Sequence, residues 1–123
     1  MTTDTQIIDY SPAIVNIEGL VQGDSLPFKV IIKSDGTPVN LTGTTTEMDI
    51  KRLDDTLVLT LTVGDGITYT NPTAGEMTIL LEPAETANLD PEYTYRYDVQ
   101  WTSGASVRTV AWGTITTLKQ ITT

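Results

Sequence analysis

The amino-acid sequence predicts an all-β domain, on three observations. Thr, Val, Ile, Leu and Tyr are plentiful along its 123 residues, and such side chains fit a pleated, half-buried surface. Apolar and polar residues alternate with period two in several runs, which places each apolar set on one side of a strand. Pro and Gly punctuate these runs at fairly regular intervals, as turns between many short strands require.

Taken in chain order, Phe28, Val30 and Ile32 form the first apolar row between Lys29 and Lys33, with Ile31 departing from the pattern. Ser34-Asp35-Gly36-Thr37-Pro38 follows, and its Asp-Gly pair tolerates the positive φ of a tight reversal. Met48 and Ile50 oppose Asp49 and Lys51, and the turn Leu53-Asp54-Asp55 leads to a longer strand. There Leu57, Leu59, Leu61 and Val63 are expected inward, with Thr56, Val58, Thr60 and Thr62 opposite. Gly64-Asp65-Gly66 sets off a short strand at Ile67–Thr70, and Asn71-Pro72-Thr73-Ala74-Gly75 precedes a row of Met77, Ile79 and Leu81.

The one helical candidate runs from Pro83 to Leu89, bracketed by Pro at its start and Asp90-Pro91 beyond its end. Tyr93–Thr102 is the clearest strand, with Tyr93, Tyr95, Tyr97, Val99 and Trp101 on one side and polar residues on the other. Ser103-Gly104-Ala105 closes a hairpin onto Val107–Thr116, a strand apolar in part on both faces. These elements add up to an immunoglobulin-like β-sandwich of about eight strands with one short helical crossover. A small closed barrel is the alternative. Residues 1–21 are expected to be an N-terminal arm leading into the first strand, 22–118 the sandwich, and 119–123 a tail.

Composition narrows the chemistry. A chain with 39% hydrophobic and 19% charged residues is neither a disordered tail nor a membrane protein. No apolar run nears the ~20 residues that span a bilayer. The start, Met1-Thr2-Thr3-Asp4-Thr5, carries no basic or apolar signal region, so synthesis in the cytoplasm is expected. There are no cysteines and no histidines. Disulfides, thiolate or imidazole metal sites and His-dependent triads are thereby excluded. The net charge of −9 opposes contact with nucleic acid or an anionic membrane, and neither is expected as a partner.

Each candidate site has a plainer explanation beside it. Asp54-Asp55 suits a solvated turn better than a catalytic dyad. Asp35-Gly36 and Gly64-Asp65-Gly66 lack the acidic ladder of a calcium loop, so no metal and no cofactor is expected. The row Tyr93, Tyr95, Tyr97 with Trp101 has the spacing of a stacking platform. The opposite face is wholly polar, so this row is the strand's buried side. Lys29, Lys33 and Lys51 are neutralised by Asp35, Glu47 and Asp49. Two readings stand for Trp112: a contact with another chain together with Val110, or a bulge at Gly113 that turns it into the core.

Several segments, taken in order, resemble a family of tailed-phage virion proteins, above all the N-terminal domain of phage upper baseplate proteins and its short stand-alone relatives. The likeness rests on Gln22-Gly23-Asp24-Ser25-Leu26-Pro27-Phe28-Lys29-Val30, then Asp35-Gly36-Thr37-Pro38-Val39-Asn40-Leu41-Thr42-Gly43. Met48-Asp49-Ile50-Lys51, Leu59-Thr60-Leu61-Thr62 and Gly66-Ile67-Thr68 follow. It closes with Glu85-Thr86-Ala87-Asn88-Leu89, Tyr95-Arg96-Tyr97-Asp98-Val99-Gln100 and Gly113-Thr114-Ile115. The resemblance implies a non-enzymatic building block of a phage particle, with an immunoglobulin-like fold and no catalytic residues.

The expected function is therefore structural: a baseplate or tail-fibre adaptor, or a capsid-decorating protein, located in the virion and assembled in the host cytoplasm. Its expected partners are other virion proteins and further copies of itself. A carbohydrate-binding adhesion module is the alternative. Ile7, Ile8, Ile14 and Val15 make the N-terminal segment more apolar than a solvated tail needs. Pro12 lacks the N–H that a central strand requires. The segment is expected to dock on a neighbouring subunit's sheet edge, which makes these four residues, with Val110 and Trp112, the candidate interface.

Overall fold

The computed structural model describes residues 4–9, 13–34 and 36–119. Strands dominate: β1 (Asp4–Asp9), β2 (Ala13–Ile14), β3 (Ile17–Val21), β4 (Leu26–Ser34), β5 (Thr37–Pro38) and β6 (Thr45–Arg52) in the first half. β7 (Leu57–Val63), β8 (Gly66–Asn71), β9 (Glu76–Leu81), a single helical turn α1 (Pro83–Thr86), β10 (Tyr95–Ser103) and β11 (Ser106–Leu118) complete the chain. The all-β expectation holds.

The strands form one hydrogen-bonded path, β1-β4-β9-β8-β7-β6-β10-β11-β2, with β3 also on β11 and β5 also on β4. The link between β7 and β8 is narrow, only Thr62↔Gly66 and Val63↔Ile67. Gly64 and Gly66, at φ 91° and 93°, make the corner that β-carbons would oppose. The sheet curls here, and its two halves are the layers of the sandwich. One core cluster draws on both: Phe28, Val30, Ile67, Met77, Ile79 and Leu81 from one half, Met48, Ile50, Leu61, Tyr97, Val99 and Ile115 from the other.

Two bulges alter the expected rows. Ile50 pairs with Leu59 but Lys51 pairs with Leu57, leaving Val58 as the extra residue. Cross-strand partners share a side, so Leu57 lies with Lys51 on the outer face and is 55% exposed. Leu61 is buried, Leu59 and Val58 pack partly on the core, and Val63 is exposed beside the corner. The expected inward row of four leucine and valine side chains is thus reduced to its middle. On β11, Val99 pairs with Ala111 and Gln100 with Thr109, so Val110 is the extra residue. Both Val110 and Ala111 are then buried.

The crossover after β9 closes one end of the sandwich. Glu82 and Glu85 form a reciprocal capping box around α1. Thr86 is fully buried, and its hydroxyl accepts from the Gly23 N–H and donates to the Asp24 carbonyl, 3.0 and 2.7 Å away. Leu89 is buried behind it, and its carbonyl accepts from Thr117 Oγ1.

The N-terminal segment forms edge strands of its own chain's sheet, where docking on a neighbour was expected. β1 runs parallel to β4, from Asp4↔Phe28 to Asp9↔Lys33, whereas β2 and β3 run parallel to β11 at the far edge. The change of edge falls between Asp9 and Ala13.

Candidate functional site

The bulge at Val110 sets the direction of everything after it on β11. Ala111, Gly113, Ile115 and Thr117 are buried, so Trp112 and Thr114 face outward. Trp112 is 46% exposed. Beside it stands Ile14, its register partner on β2, at 64% exposure. On its other side Trp112 pairs with Asp98, Asp98 with Asp49, and Asp49 with Thr60. One row thus crosses five strands on the outer face: Thr60, Asp49, Asp98, Trp112 and Ile14.

The two carboxylates are directly opposed, an unfavourable cross-strand pairing. Thr60 Oγ1 donates to Asp49 at 2.8 Å. Partial burial, and then the Asp49 charge, raise the Asp98 carboxyl from its ordinary value, against the opposite pull of Lys51 and Arg96. Those two cations form the next row along, and Arg96 is paired with Asp55. A shallow groove of about 540 Å³ lies over this face, bordered by Trp112, Asn16 and Leu53. Leu53 is 63% exposed.

The groove's far wall is held by the N-terminal segment. Val15 N–H donates to the Trp112 carbonyl, and its own carbonyl accepts from the Tyr97 hydroxyl at 2.6 Å. Burial raises that hydroxyl's pKa to about 12, so it stays a donor. Asn16 Oδ1 accepts from the Thr114 N–H and hydroxyl. The approach is close enough that a β-carbon on Gly113 would stand 2.0 Å from the Val15 carbonyl oxygen.

No protein-family model and no curated protein sequence matches the chain. A solved phage domain shares the fold. It is the N-terminal domain of phage TP901-1 ORF48, with a TM-score of 0.54 over 94% of this chain and 98% of that one. At 8% identity the likeness is one of architecture.

The residues expected at an interface fall in different places. Ile14 and Trp112 adjoin on the outer face, as described. Val15 is half-buried, with both backbone groups bonded to its own chain. Val110 is not at an interface: it is a core residue with no exposed surface, because the bulge turns it inward. The alternative of a bulge at Gly113 that buries Trp112 is likewise set aside. Ile7 and Ile8 stand in β1 opposite Ile31 and Ile32.

The aromatic row is core rather than a platform, since Tyr95, Tyr97 and Trp101 are buried. Tyr93 precedes the strand and is exposed, under the Arg52 guanidinium at 4.8 Å. Among the described residues no three acidic side chains gather as a metal site, and no helix is long and apolar enough to cross a membrane. Asp35 lies outside the described residues. Asp49, Asp98 and Leu53 are not among the interface candidates that the sequence suggests. Alternation marks each aspartate as outward, but nothing local says that they face one another.

Proposed function

We propose that the protein is a structural component of a bacteriophage particle, acting through protein–protein contacts as a baseplate or tail-fibre adaptor or a capsid-decorating protein. The observation that carries this reading is the likeness in fold, over nearly all of both chains, to the N-terminal domain of a phage protein. The ordered motif resemblance to phage virion proteins supports it from sequence. The exposed surface around Trp112 and Ile14 adds a patch of the apolar kind that marks contact sites. The partners are other particle proteins and further copies of this chain, and the location is the virion.

The test is the protein content of purified particles from a strain that carries the gene. Quantitative mass spectrometry is expected to find the chain at a fixed copy number per particle, and a gene deletion to leave particles incomplete. Particles that lack the chain and assemble normally without its gene would overturn the proposal.

A further inference from the structure

We propose that the outer face of β6, β10 and β11 docks another protein through an arginine or lysine flanked by aliphatic side chains. This deepens the structural role proposed above and rests on it. Trp112, with the exposed Ile14 beside it on β2, forms one apolar wall of the groove, and the exposed Leu53 also lines it. A partner's aliphatic groups would cover both. The groove is also lined by Asp49 and Asp98, opposed in register and held there by the β6–β10 ladder.

Two opposed carboxylates cost free energy in the isolated domain. A cation laid over them would remove that cost. A guanidinium can bond both acids through its planar fork, and the neighbouring Trp112 ring offers a cation–π face. Among the described residues the nearby cations act on Asp98 only from the adjoining row, where Arg96 is itself paired with Asp55 and Lys51 stands beside it. The charge pattern also speaks against a second copy as the occupant. An isologous contact sets the same patch on both sides. In a chain of net charge −9, two acid pairs would then meet with only Lys51 and Arg96 lining each groove.

The test is incorporation of variants into particles, by complementing a gene deletion. Trp112→Ala and Asp98→Asn are expected to lower incorporation at least tenfold, with melting temperatures no lower than wild type. Asp98→Glu, which keeps the charge, should stay within about threefold. Asp65→Asn, at the remote Gly64–Gly66 corner, should be incorporated normally.

Failure of the wild type to incorporate would sink the structural role itself. Normal wild-type incorporation with equal incorporation of Trp112→Ala and Asp98→Asn would overturn the docking face alone. Loss with Trp112→Ala but not with Asp98→Asn would rule out the cationic partner. Two further results would assign the face to another occupant: binding of purified host-wall polysaccharide abolished by Trp112→Ala, or sedimentation as a dimer abolished by the same change.

Discussion

Gly113 shows how much a single atom can control. Its missing β-carbon leaves room for the Val15 carbonyl, which is bonded to the Tyr97 hydroxyl. Gly113→Ala would place a methyl 2.0 Å from that oxygen, and backbone on both sides must move. The expected cost is about 1–3 kcal/mol, in the range of overpacked sites, measured by urea unfolding. Asp98 carries the opposite sign. Its carboxyl is raised by burial and by Asp49, so the folded state holds its proton more tightly than the unfolded chain does. Stability from this group is therefore present at low pH and is lost as pH rises through the carboxylate range. Asp98→Asn should raise the melting temperature at pH 7. That gain should shrink as pH falls below the carboxylate range. Scanning calorimetry at several pH values checks both; a gain independent of pH would place the cause elsewhere.

Among the elements, the crossover depends on a buried hydroxyl more than on helix propensity. α1 is one turn long, too short to stand alone. Thr86 fastens it to the Gly23–Asp24 turn by accepting one hydrogen bond and donating another. Thr86→Val keeps the shape and leaves the Gly23 N–H and Asp24 carbonyl without that partner. A loss of about 1–3 kcal/mol is expected in denaturant unfolding, more than a typical exposed Thr→Val change. The bulges matter in the same way. Each makes two adjacent apolar residues share the inner side, as Val110 and Ala111 do, and thereby turns Trp112 outward.

At the scale of the molecule, the sheet runs from β1 to β2 and both edges come from the N-terminal segment. Removing residues 2–12 would uncover the β4 edge that β1 now pairs. The truncated protein should keep its β circular-dichroism spectrum, since the core residues of β4 and of β6 to β11 all remain. Its melting temperature should fall by several degrees, and an uncovered edge should promote association at high concentration. An unchanged melting temperature would mean that the β1–β4 pairing adds nothing to stability.

Local alternation, with β-favouring composition and turn punctuation, determined the all-β class, and alternation determined most of the core. Phe28–Val30–Ile32, Met48–Ile50, Met77–Ile79–Leu81 and Tyr95–Tyr97–Val99–Trp101 all face inward as their period requires. Turn chemistry placed the Asp54-Asp55, Gly64–Gly66 and Gly104 reversals equally well. The sequence also drew attention to Ile14 and Trp112. What it left open are quantities that belong to pairs of strands. A bulge is an extra residue relative to a partner, so Val58 and Val110 become extra only once β6 and β10 are in register beside them. The same register brings Asp49 opposite Asp98 across 49 residues of chain, and sets Ile14 beside Trp112. Period two is a property of one strand and can be read from it. Register is settled between strands, by which faces are buried, and only the assembled sheet contains that information.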